Sequence, residues 1–191
     1  MDQIDRVLRK YAAEGDDTKD KLYGASFVVT DRNGVIYSGS SGRISSEPSA
    51  RPFTDKSFSW VASLTKLVTS TALLQLVENG KITLDQDLRP IVPYFAEVRI
   101  LEGFDENSKP VTRENKDPIT LRQLLTHTAG FAYEFSDSKV LKWSRQQGRQ
   151  VWRVQWSVEE ISTPLRFTPG SSWGYGVNTD WAAIVNTSFA P

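Results

Sequence analysis

Cysteine is absent from this chain, and histidine occurs once, as His127. The first absence excludes disulfides, thiolate zinc sites and cysteine nucleophiles. The second excludes a multi-histidine metal site and leaves one candidate for an imidazole base. An excess charge of either sign is also missing, since 23 Lys and Arg offset 23 Asp and Glu. The chain therefore has no net field to draw it to nucleic acid or to an anionic membrane. Long apolar runs are lacking too. The start, MDQIDRVLRKYAAEGDDTKD, is charged throughout and carries no signal-peptide core. The apolar run at 61–77 is interrupted by Ser, Thr and Lys and is too short to span a bilayer. The expectation is a soluble, cytoplasmic chain, long enough at 191 residues for one sizeable core.

What is present reads mostly as helix. Ile4, Val7, Leu8, Tyr11 and Ala12 fall at helical spacing, with Gly15 as a stop, so residues 2–14 are expected to form an amphipathic helix. Alternating Tyr23, Ala25, Phe27 and Val29 predict a strand, Asp31-Arg32-Asn33-Gly34 a turn, and residues 35–39 a second strand. A Ser/Gly/Pro-rich loop leads to an apolar helix that stops at Asn79-Gly80. Residues 92–118 are polar and read as irregular. Thr120 with Gln123, and Ser157 with Glu160, have the spacing of capping boxes. Residues 136–150 suit a basic helix, and a last helix starts at 180. A lone hairpin leaves both edges open and is marginal by itself, so this one calls for further sheet. Trp143, Trp152, Trp156 and Trp173 fit either core or pocket wall.

The chemistry concentrates in WVASLTKLVTSTALLQLV, residues 60–77, where Lys66 is the one charged residue in an otherwise uncharged helix. Ser63 lies three residues earlier, on the same helical face. A lysine in apolar surroundings loses the hydration of its charged form, and the positive end of the helix dipole also favours the neutral amine. A neutral amine beside a hydroxyl can take its proton and make Ser63 a nucleophile without histidine. The Ser63 backbone N–H could help hold an oxyanion. The bland alternative is that Lys66 snorkels to solvent or pairs with a distant carboxylate. Ser136 and Lys139 share the spacing, but they sit beside Glu134 and Asp137, where a solvated, charged lysine is expected. His127, in a short capped helix ending at Gly130, reads as a hydrogen-bonded structural residue. No Gly-x-Ser-x-Gly elbow accompanies it.

Three segments in order resemble one family: FSWVASLTKLVTSTALLQLVENGKITLDQDL, ITLRQLLTHTAGFAYEF and PLRFTPGSSWGYGVNTDW. They are similar to the nucleophile helix, the Leu-Leu-Thr-His-Thr-Gly segment and the tyrosine loop of serine beta-lactamase and penicillin-binding-protein-like hydrolases. The likeness is greatest to the class C beta-lactamase-related esterases and acyltransferases. The resemblance implies an α+β, beta-lactamase/transpeptidase-like fold in one domain over 1–191, with residues 1–80 carrying the helix, hairpin and nucleophile helix and 81–191 a mainly helical region. It implies Ser63 as acylated nucleophile, Lys66 as its proton partner and Tyr175 as the phenol that shuttles the proton. Asn178 and Trp173 become substrate-binding candidates, the substrate being a small acyl donor. No metal or organic cofactor is implied.

The sequence also departs from the family. The tyrosine motif, Tyr-Ser-Asn or Tyr-Ala-Asn in much of the family, here reads Tyr175-Gly176-Val177, with Asn178 one place late. This change favours ester or thioester substrates over lactams. Family members are longer and complete their sheet and oxyanion hole with C-terminal strands, so the chain is expected to be truncated, with only the N-terminal hairpin of the sheet. Lack of one oxyanion donor alone lowers rate by about 100- to 1,000-fold. Two alternatives to a serine hydrolase or acyltransferase follow: an inactive product or interaction module whose open strand edge recruits a partner, and a penicillin-interacting enzyme.

Overall fold

The structure, a computed structural model, describes residues 2–149 and 157–189. Trp152, Trp156 and the expected helix end at 150 lie outside the described residues. The chain divides into two compact units, Met1–Val61 and Ala62–Pro191.

In the first unit, helix α1 (Asp2–Tyr11) precedes strands β1 (Gly24–Asp31) and β2 (Gly34–Gly42). The strands pair antiparallel, Val29 opposite Tyr37, with a bulge between Val29 and Thr30. The turn forms as its residues predict: Asp31 Oδ1 accepts from the Asn33 amide at 2.7 Å, and Gly34 takes a φ of +128° that residues with a β-carbon avoid. Helix α1 packs on β2, where the Tyr37 hydroxyl donates to Asp5 Oδ1 at 2.7 Å. The loop after β2 is stapled by buried Arg43, whose guanidinium donates to the carbonyls of Gly15, Ser45 and Ser46. Phe27, Val28, Val35 and Ile36 of the hairpin are exposed.

The second unit opens with a single 3₁₀ turn, Ala62–Leu64, which runs into helix α2 (Thr65–Glu78). Asn79 and Gly80, the latter at a φ of +66°, end it as expected. Helix α3 (Tyr94–Glu97) and strands β3 (Arg99–Phe104) and β4 (Pro110–Glu114) follow. This second antiparallel hairpin corrects one expectation, that residues 92–118 are irregular, and adds a two-stranded sheet of its own. The pattern was hidden by a bulge between Leu101 and Gly103. A bulge inserts a residue and breaks the period-two alternation by which a strand is read.

Helices α4 (Leu121–Leu125), α5 (Ser138–Gln146), α6 (Val158–Ile161) and α7 (Asn178–Thr187) complete the unit. Both capping boxes form, at Thr120–Gln123 and Ser157–Glu160. Asp137 caps α5 by accepting from the amides of Lys139 and Val140. The core joins Leu73, Ile82, Leu88, Phe95, Phe131 and Trp181. Trp181 of α7 is its anchor, stacked on Tyr94 at 4.9 Å and donating through Nε1 to the Ile161 carbonyl at 3.2 Å. Helix α2 packs on α7, but it is not the core helix its composition suggests. Leu73 alone is fully buried on it, while Leu67, Val68 and Leu74 are exposed. An apolar run without helical periodicity reports hydrophobicity, not which face is covered. No helix among the described residues is long and apolar enough to cross a membrane.

Candidate active site

The turn at 62–64 delivers Ser63 to the N-terminal end of α2, and Lys66 follows on the same face. Ala62, just before Ser63, has a φ of +43°. For a residue with a β-carbon this left-handed conformation costs about 1–2 kcal/mol, strain of the kind held at functional sites.

Tyr175 arrives from the loop between α6 and α7. Its Oη lies 2.7 Å from Ser63 Oγ, across 112 residues of sequence. Lys66 Nζ donates to Ser63 Oγ at 3.5 Å and to Tyr133 Oη at 3.3 Å. The same ammonium is 5.1 Å from the centroid of the Tyr175 ring and 5.7 Å from that of Tyr133, within the range of cation–π attraction. Tyr133 Oη in turn donates to Asp180 Oδ2 at 3.3 Å. Lys66 is thus half-buried among hydroxyls and ring faces, not isolated among aliphatic side chains, because the apolar neighbours it has in sequence point to solvent.

Tyr133 and Asp180 were not among the residues singled out from sequence. Tyr133 is 67 residues from Lys66, and no local spacing signals that meeting. Burial, then the Asp180 charge, pushes the Tyr133 phenol above the ordinary tyrosine value, so it keeps its proton and donates. Burial likewise pushes the Asp180 carboxyl up, while the Lys66 charge pulls it back. Asp180 stands in the first turn of α7, on a helix fixed by buried Trp181.

The two tyrosines are bound through their backbones. The Tyr133 amide donates to the Tyr175 carbonyl at 3.2 Å, and Ser136 Oγ donates to both carbonyls, at 2.9 and 3.1 Å. Their rings meet edge to face at 5.2 Å. Gly176 allows this close approach: a β-carbon there would overlap the Phe131 carbonyl oxygen and Ala132 Cα. The Tyr-Gly departure from the family motif has this steric cause.

Asn178 is fully buried. Its Nδ2 lies 3.0 Å from the Phe131 carbonyl, 3.3 Å from that of Gly174 and 3.1 Å from His127 Nδ1, so the amide binds the tyrosine loop to the 127–131 segment. The two carbonyl acceptors fix that nitrogen as the donor end of the amide. Burial, then the Lys66 charge, holds His127 below the ordinary histidine value. Its carbonyl accepts from the Gly174 amide at 2.9 Å, and its ring lies 4.8 Å from that of Tyr175. Trp173 is exposed, edge-on to His127 at 6.3 Å. The second Ser-x-x-Lys pair does not meet: Lys139 is exposed and donates to the Glu102 carbonyl at 2.7 Å.

The arrangement places a serine hydroxyl at hydrogen-bond distance from a phenol, with a lysine ammonium against two aromatic rings beside them. It matches a known family over nearly its whole length. The beta-lactamase family pattern covers residues 4–185. The chain belongs to the beta-lactamase family.

Its relatives are esterases and acyltransferases of that fold. Lovastatin esterase from Penicillium rubens is 38% identical over 170 residues, which is 86% of this chain and 42% of that protein. Acyltransferase calJ from Penicillium decumbens is 32% identical over 205 residues, 97% of this chain and 48% of that one. Unliganded simvastatin synthase (LovD) from Aspergillus terreus superposes with a TM-score of 0.77 at 27% identity, covering 97% of this chain and 47% of that chain. The chain spans less than half the length of these relatives. The α+β, beta-lactamase-like fold implied by the three motifs is the fold observed, as a partial chain with two small antiparallel sheets.

Proposed function

We propose that the chain carries the nucleophile half of a serine esterase or acyltransferase acting through an acyl-serine intermediate. The observation that carries this reading is the 2.7 Å contact between Ser63 Oγ and Tyr175 Oη, a length typical of a good hydroxyl–hydroxyl hydrogen bond. Ser63 Oγ attacks the acyl carbonyl carbon. As the new C–O bond forms, the serine proton passes to Tyr175 Oη and the phenol's own proton passes to the leaving alkoxide or thiolate, whose bond to the acyl carbon breaks. Deacylation runs the same exchange backwards, with water or an acceptor hydroxyl in the place of the leaving group. Lys66, held by Tyr133 and the two ring faces, supplies positive charge beside Ser63 Oγ while the proton leaves it.

Relatives that are an esterase and an acyltransferase support ester or thioester acyl donors, and the absence of an asparagine two places after Tyr175 agrees with that preference. The test is labelling of the purified 191-residue chain with a fluorophosphonate probe, followed by peptide mapping. The expected result is a single adduct on Ser63, absent from Ser63→Ala. An adduct of equal yield in Ser63→Ala would refute the assignment.

A further inference from the structure

The reading above uses Ser63, Lys66 and Tyr175, and leaves a second phenol and a carboxylate unexplained. Asp180 is half-buried in the first turn of α7 and faces Lys66 from the far side of Tyr133. A buried carboxylate is expensive unless paired, yet Asp180 makes no short ion pair with Lys66. Its contact is instead the hydroxyl of Tyr133, which itself receives a hydrogen bond from Lys66.

We infer that Asp180, acting through Tyr133, is a positioning residue that sets the direction of the Lys66 ammonium toward Ser63. A phenol has one proton and acceptor lone pairs. With that proton directed to Asp180 Oδ2, the Tyr133 oxygen presents lone pairs to Lys66 and accepts from it. One N–H of Lys66 is thereby held by Tyr133 at 3.3 Å, and rotation about the last bond of the side chain is restricted, with another N–H directed at Ser63 Oγ, 3.5 Å away. Without the carboxylate, the Tyr133 proton can turn elsewhere, and the lysine loses its fixed partner. The groups that face this relay are Lys66 from α2, Tyr175 from the α6–α7 loop and Tyr133 from the segment after α4. The inference rests on the acyl-serine reading but adds two residues to it, both acting through Lys66.

The relay also makes an unusual demand on stability. Burial disfavours the ionised form of Asp180. A carboxyl whose folded value is raised weakens the fold at pH values above its titration, because the unfolded chain holds the charge more easily. Asp180→Asn keeps the shape but leaves the Tyr133 proton only a neutral amide, a weaker acceptor than a carboxylate and one that can also turn its NH2 toward the phenol, and it removes that charge. It is therefore expected to raise the urea midpoint at pH 7 while slowing the chemistry.

The experiment measures the rate of fluorophosphonate labelling of Ser63 against probe concentration for the 191-residue chain and its variants. This separates the limiting labelling rate from the half-saturating concentration. Asp180→Asn is expected to lower the limiting rate about tenfold, the low end for a hydrogen bond to a charged group, with the half-saturating concentration unchanged. Tyr133→Phe, which keeps the ring, is expected to lower the rate as much or more. In the double variant Asp180→Asn adds nothing, because its path to Lys66 is gone. A limiting rate within twofold of wild type in a folded Asp180→Asn overturns the inference alone, as does simple multiplication of the two effects. If Asp180→Asn fails to fold, a wild-type rate in Tyr133→Phe overturns it. A wild-type chain that takes no label at Ser63 overturns the acyl-serine reading and this inference with it.

Discussion

Replacing Tyr175 by phenylalanine removes one oxygen, and the structure allows its two consequences to be separated. The ring remains against His127 at 4.8 Å and Tyr133 at 5.2 Å, and the Lys66 ammonium stays 5.1 Å from its centroid. What disappears is the hydrogen bond to Ser63 Oγ, an exposed residue, so the stability change is at most about 1 kcal/mol. The effect on chemistry is much larger. General acid–base transfer by a positioned group contributes about 100- to 10,000-fold, equivalent to about 3–5 kcal/mol of transition-state energy. Lys66 Nζ lies farther from Ser63 Oγ, 3.5 Å against 2.7 Å for the phenol, and donates to it instead of accepting from it, so it does not replace the phenol. The assay is the rate of covalent labelling of Ser63, read beside the urea midpoint of the same protein. A loss of at least about 100-fold with nearly wild-type stability is expected. If Tyr175→Phe labels within about threefold of wild type, a fraction of the factor assigned to proton transfer, the phenol lies off the proton path, and the reasoning from its distance to Ser63 is wrong.

The close approach at Gly176 predicts that Gly176→Ala destabilises the second unit by about 1–3 kcal/mol, the usual effect of overpacking, because the atoms a β-carbon would meet are backbone and cannot turn aside. Its labelling rate should fall as well, since Tyr175 moves with the loop; an unchanged urea midpoint would contradict the packing argument. His127 predicts a pH dependence. Its folded value is depressed, so the unfolded chain binds the proton more readily, and stability is lost as pH falls below about 6.5 toward the folded value. In His127→Gln the slope of urea midpoint against pH in that window should flatten, and an unaltered slope would show that another group is responsible.

The sequence by itself determined the local events. Thr120 and Ser157 cap their helices as their spacing requires, Asn79-Gly80 stops α2, and Asn33-Gly34 turns the first hairpin, because each depends on residues within one helical turn or one tight turn. That the Ser63 and Lys66 side chains meet was legible for the same reason: three residues across one helical turn, here a 3₁₀ turn running into α2, bring side chains to a shared face. Tyr175 was legible only through the likeness of its loop to a family. The second hairpin was not legible, since the bulge at Leu101–Gly103 breaks the alternation that announces a strand. Nor was the exposure of α2, because an evenly apolar helix contains no signal for which side is covered.

Only the tertiary structure decided the rest of the site. Tyr133 and Asp180 come from separate segments and meet Lys66 through side-chain hydroxyl and carboxylate contacts that no periodicity encodes. Gly176 seemed a departure from a motif until the backbone of Phe131 and Ala132 was found pressed against it. Asn178, in a motif that suggested contact with substrate, turned out to tie two loops together. Short-range hydrogen bonds and helical geometry are written in neighbouring residues. The direction of a lysine's ammonium, by contrast, depends on groups that only folding brings within 3.5 Å of it.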